Sequence, residues 1–179
     1  MFLLIGSKAN ATEECFEGAS RAIFKYNMAF DETRESCPNY DELTDTLDMS
    51  YGVFTDPSTM SDLLYRTENF NKNIGDWNTT NVTNMSGMFK RAFAFNQDIG
   101  SWKTSNVKYM NEMFMNASVF NQDLGDWETS NVLTMENMFW RALNFNGDIE
   151  NWKTSKVTNM YQMFGNASSF NKNIGSWNT

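Results

Sequence analysis

Three aspartates, Asp98, Asp123 and Asp148, stand 25 residues apart, with Asn73 and Asn173 at the flanking positions of the same series. On successive rungs of a stacked fold such carboxylates would lie about 4.8 Å apart. At that spacing they repel unless a cation or a basic partner neutralises them. The functional reading is an acidic strip on an exposed face that recruits cations or basic side chains. The structural reading is that each carboxylate caps the backbone amides of a local turn.

Other residue types offer further chemistry. The only cysteines are Cys15 and Cys37. As a disulfide they would fit an exported protein, and two free core thiols are the alternative. The sequence N-x-[ST] occurs at Asn10, Asn78, Asn81, Asn84, Asn116 and Asn166, and Asn78, Asn116 and Asn166 are the candidate glycosylation sites. Thr79, Thr104, Thr129, Thr154 and Thr179 form another series. It reads either as helix caps or as a flat threonine array of the kind that binds ice. Asn71, Asn96, Asn121, Asn146 and Asn171 read as an inward ladder that satisfies backbone groups between rungs.

Catalysis is not expected. The chain contains no His, which removes His-based triads and His metal sites. No glycine-rich phosphate loop follows a strand. The acids of the repeats are copied in columns, whereas an active site needs one unlike constellation. The reading is therefore no catalytic residue, no metal and no cofactor.

Charge narrows the partners. The net charge of −8 argues against nucleic acid and anionic lipid, both of which need a Lys/Arg surface. Residues 1–59 hold 4 Lys/Arg and 11 Asp/Glu, and residues 60–179 hold 10 and 11. The acidity thus belongs to the first third, and the rest is nearly neutral. No apolar run approaches the ~20 residues of a membrane span. Residues 1–11, an apolar run ending in Ala9-Asn10-Ala11, read as a possible remnant of a signal peptide.

What must position these groups is a 25-residue repeat. Phe70, Phe95, Phe120, Phe145 and Phe170 are in register, as are Trp77, Trp102, Trp127, Trp152 and Trp177. Two Met columns, a second Phe column and an Ala column close the unit. A decayed unit at 60–69 precedes full units at 70–94, 95–119, 120–144 and 145–169 and a partial unit at 170–179. A 50-residue super-period also shows, since Lys90-Arg91-Ala92-Phe93 resembles Trp140-Arg141-Ala142-Leu143. Within a unit, Val107, Met110, Met113, Phe114 and Ala117 have the spacing of a short helix, capped by Ser105 or Asn106. Asn96–Gly100 reads as a short strand with Ile99 inward. Apolar positions from Phe16 to Phe30 predict an amphipathic helix over 12–30, within an acidic helical cap spanning 12–59. The predicted fold class is α/β: a leucine-rich-repeat-like solenoid of short parallel strands and short helices, with an α-helical N-terminal cap.

The unit beginning Phe95-Asn-Gln-Asp-Ile-Gly-Ser-Trp-Lys-Thr-Ser-Asn-Val and closing Met-Asn-Glu-Met-Phe resembles the BspA-like leucine-rich-repeat surface proteins over 60–179. That resemblance implies an extracellular or cell-surface protein, adhesion to host or matrix proteins, and no shared catalytic motif. The expected function is a non-catalytic module that binds a protein or glycan. The alternative is a spacer or self-assembling element that stacks through its C-terminal end, where an open rung would expose Phe, Ile and Trp.

Overall fold

The computed structural model describes residues 58–178. These residues form five stacked rungs (58–81, 82–106, 107–131, 132–156 and 157–178), the middle three each of one full repeat period. The helix expected over 12–30, the cap over 12–59 as a whole, the signal remnant at 1–11 and the Cys15–Cys37 pair lie outside the described residues, apart from positions 58 and 59.

The α/β expectation is corrected by the backbone. Among the described residues there is no helix, and strand pairing is limited to one parallel bridge per rung, through Thr59, Asn84, Tyr109, Thr134 and Asn159. Those bridges fall in the half of the unit predicted to be helical. Asn96–Gly100, predicted to be a strand, is irregular. The rungs are built from consecutive turns.

The second rung shows the reason. The N–H groups of Met88, Lys90 and Ala92 donate to the carbonyls of Met85, Gly87 and Phe89, each closing a three-residue turn. The intervening N–H groups of Met85, Gly87, Phe89 and Arg91 donate out of the rung, to Tyr109, Asn111, Met113 and Met115, at 2.8–2.9 Å. Half the amides thus hold the turn and half hold the next rung, so the backbone is satisfied without a helix. Such alternation requires left-handed residues. Two occur per rung, four apart, at Asp62 and Arg66, Gly87 and Arg91, Glu112 and Asn116, Asn137 and Arg141, and Gln162 and Asn166, with φ between 49 and 64°. An α-helix needs φ near −63° throughout. Each non-glycine residue in this region costs about 1–2 kcal/mol, which the inter-rung bonds offset.

The copied side chains fill the interior as continuous columns. The five Trp rings stack at 6.0–6.4 Å between centroids and within 8° of parallel. Phe70 to Phe170 stack at 5.8–6.0 Å, and Phe89 to Phe164 at 5.3–5.7 Å. The two Phe columns touch within each rung, as at Phe114 and Phe120, 4.1 Å apart. Met85, Met88, Met110, Met113, Met135 and Met138 are fully buried beside them, with Ile99 and Leu124. The Met and Trp columns are therefore core.

Candidate binding face

The polar columns do structural work. Asp98 Oδ1 accepts the Gly100 N–H at 2.9 Å and Asp148 Oδ1 accepts the Glu150 N–H at 3.0 Å. Asn73 and Asn173 hold Gly75 and Gly175 in the same way at 3.0 Å. Asp123 instead accepts the Asp148 N–H of the next rung, at 2.8 Å. Asp98 and Asp123 are exposed and Asp148 is half-buried, so the three carboxylates share one edge of the stack while each engages a backbone amide.

The asparagine ladder is outward rather than inward. Asn71, Asn121 and Asn171 are exposed, Asn96 and Asn146 half-buried. The side-chain oxygens of Asn71, Asn96, Asn121 and Asn146 each accept the N–H of the next Asn up the stack at 2.7–2.9 Å. Position in the rung, not polarity, decides which face a residue takes, and spacing alone did not show it.

Thr79, Thr104, Thr129 and Thr154 are buried and offer no flat hydroxyl face. Their hydroxyls donate to the carbonyls of Lys103, Glu128, Lys153 and Asn178 at 3.1–3.2 Å. They tie one rung to the next and do not cap a helix. Of the candidate glycosylation sites, Asn78 is exposed and its Oδ1 accepts the Thr80 N–H. Asn116 and Asn166 occupy left-handed positions, Asn116 half-buried and Asn166 exposed.

A shallow cleft of about 150 Å³ lies between the second and third rungs, lined by Trp102, Lys103, Ser105, Asp126 and Glu128. The Glu128 carboxylate on its rim pairs with Lys153 at 3.3 Å. Burial opposes ionisation there, yet the bonds from Lys153 and Ser130 hold the Glu128 carboxyl below its usual value. The cleft is smaller than the ~300 Å³ typical of a small-molecule site. Among the described residues no group of three or more acids or sulfur ligands is placed to hold a metal ion. Nor is any helix of these residues long and apolar enough to cross a membrane.

The exposed large apolar side chains of the described residues stand apart from the copied columns. Tyr109 is 42% exposed, Leu133 36% and Tyr161 63%, all close to the bridges, and Val119 and Leu143 are exposed elsewhere on the rungs. Tyr109 lies in the bridge column, and Leu133 directly precedes Thr134, its bridge partner. Tyr161 follows two residues after Asn159, the next bridge residue. All three sit where the repeats differ: Asn84, Tyr109, Thr134 and Asn159 in one series, Thr83, Lys108, Leu133 and Thr158 in a second, and Ser86, Asn111, Glu136 and Tyr161 in a third. Sequence reasoning missed this face by following the copied columns. Its signal was a large apolar residue standing outside them.

The profile of a family described as "Mycoplasma protein of unknown function, DUF285" matches residues 54–139 and again 122–179. Comparisons with curated proteins and with solved structures each find no match. The two family matches overlap and together take in every described rung, well over half of the chain. The chain belongs to this family of repeat proteins, and the repeats are the turn-built rungs.

Proposed function

We propose that the chain is a non-catalytic binding module of the cell surface or extracellular space, engaging a protein or glycan through the face that carries Tyr109, Leu133 and Tyr161. The observation that supports this most is the exposure of these side chains in series that vary from rung to rung while the inward columns are copied. A stack has no need of exposed Tyr and Leu there, and aromatic side chains are favoured contact residues at interfaces. The resemblance of the units to BspA-like surface proteins adds support for the location and for adhesion. Surface proteolysis of producing cells, followed by adhesion of the purified chain to matrix proteins and arrayed glycans, tests the reading. Y109S/L133S/Y161S should abolish adhesion while leaving the fold intact. A chain inaccessible to external protease, or adhesion unaffected by the triple substitution, would sink it.

A second reading, an assembly element extended by a further rung, has its own observation. The N–H groups of Met160, Gln162, Phe164 and Asn166 correspond to those that bind the next rung elsewhere, and among the described residues they have no acceptor. Met160, Phe164, Phe170, Ile174 and Trp177 are only partly buried beside them. Light scattering over a concentration series decides whether this surface joins chains. A monomer at every concentration removes the reading.

A further inference from the structure

The second left-handed position of each rung is filled by Asn116 and Asn166 in two cases and by Arg66, Arg91 and Arg141 in three. Asn is one of the few residues that tolerate this conformation, because its short side chain bonds locally. Arg has no such compensation. The three arginines stand in register in one column of the stack.

No carboxylate of the described residues forms an ion pair with any of the three guanidinium groups. The Nε atoms of Arg66 and Arg91 are buried without an acceptor, although buried donors are almost always bonded. Each guanidinium lies over a neighbouring ring: Arg66 over Tyr65 at 5.3 Å, Arg91 over Phe93 at 5.9 Å and Arg141 over Trp140 at 4.5 Å. A guanidinium held by its flat face keeps its in-plane N–H donors for a planar oxyanion. The row stands on a protein whose net charge is −8.

We propose that Arg66, Arg91 and Arg141 form a docking row for an acidic peptide, binding its carboxylates through the guanidinium forks. This goes beyond the Tyr109 face and does not rest on it. Rungs about 4.8 Å apart put Arg91 and Arg141, two rungs distant, about 10 Å apart, the reach of three extended residues. A peptide with an acid at every third position therefore matches the Arg91–Arg141 interval, and Arg66, one rung (about 4.8 Å) from Arg91, shares the carboxylate bound there. A densely charged polymer fits less well, because Asp62 lies on the rung of Arg66 and Glu112, paired with Lys90, lies on the rung between Arg91 and Arg141, where they oppose its intervening charges.

The test is fluorescence anisotropy of the full chain with a labelled peptide of four Glu-Gly-Ser repeats. Saturable binding that weakens as salt rises is expected. R66Q/R91Q/R141Q should lose about tenfold or more in affinity, since charge-assisted bidentate bonds are the strong ones. K103Q/K153Q/K156Q removes the same charge from other columns and should change affinity by less than about twofold. Absence of binding, or equal loss in both variants, overturns the proposal. So does preference for a sulfated oligosaccharide, which would make a glycan the ligand. If the triple variant loses cooperative unfolding, R141Q alone is read, because Arg141 is exposed. Unchanged affinity in R141Q would then refute the row.

Discussion

The Trp102 indole N–H donates to the Ile74 carbonyl at 3.1 Å, although the two residues are 28 positions apart. The same carbonyl accepts the Trp77 N–H of its own rung, so one oxygen closes a turn and fastens the next rung. Trp127 and Ile99, and Trp152 and Leu124, repeat the arrangement at 3.0 and 2.8 Å. A buried indole needs such an acceptor, and the stack supplies one to Trp102, Trp127, Trp152 and Trp177. Trp127→Phe keeps the aromatic column but deletes this bond. It should lower stability by about 1–2 kcal/mol in urea unfolding, the bond plus a small cavity.

The threonine column predicts an inequality. The Thr129 hydroxyl both donates to the Lys153 carbonyl and accepts the Lys153 N–H, at 3.2 and 2.8 Å. Thr104 only donates, to Glu128. Valine has the same shape and no hydroxyl. Thr129→Val should therefore cost more than Thr104→Val, by about 1 kcal/mol, because it strands a donor as well as an acceptor. Equal midpoint shifts in parallel urea titrations would contradict the bonding scheme.

Glycines separate in a similar way. A Cβ on Gly147 would collide with the Gln122 carbonyl, a backbone atom that cannot swing aside. On Gly125 the nearest atom would be 3.8 Å away, at Asp148. Gly147→Ala should destabilise the stack by about 3 kcal/mol or more, and Gly125→Ala by less than about 1 kcal/mol. Thermal unfolding of the two variants side by side measures the difference.

Asp62 gives a pH signature. Burial raises its carboxyl above the ordinary value of 3.8, and the Ser61 hydroxyl and the charge of Lys90 only partly oppose this. A raised folded value means that the native state binds the proton more tightly than the unfolded chain. This group's contribution is thus full below the unfolded value and is lost as pH rises through the folded one. Asp62→Asn removes the buried charge and places a residue suited to the left-handed conformation. It should be more stable than the parent at neutral pH, with the gap narrowing as pH falls through the raised folded value toward about 4 and levelling off below that. A gap that widens with acid would reverse the sign of the argument.

The aspartate column can be tested for function without confusion from folding. Asn73 and Asn173 hold their turns as Asp98 and Asp148 do, so Asn in place of all three acids should preserve the turns. D98N/D123N/D148N is expected to change stability by less than about 1 kcal/mol. Any loss of binding to a cation or basic partner then reports the carboxylates themselves. Calorimetric titration with calcium, beside a thermal melt, reads both quantities.

The sequence by itself determined the period, the register and the inward columns. Phe, Trp and Met recur every 25 residues because a single rung cannot bury them and identical neighbours can. What it could not determine was the backbone that carries them. Val107, Met110, Met113, Phe114 and Ala117 fit a helix and a run of turns equally well, because both return a side chain to one face after three or four residues. The left-handed positions would have separated the two, but only Gly87, Asn116, Asn137 and Asn166 of the ten bear residues that announce them. Arg66 or Glu112 there gives no local warning. The choice was made by tertiary structure: alternate amides find acceptors on the next rung, bonds an isolated unit does not have. The same stacking turned the asparagine ladder outward, buried the threonines and aligned three arginines that the sequence showed only as scattered charges.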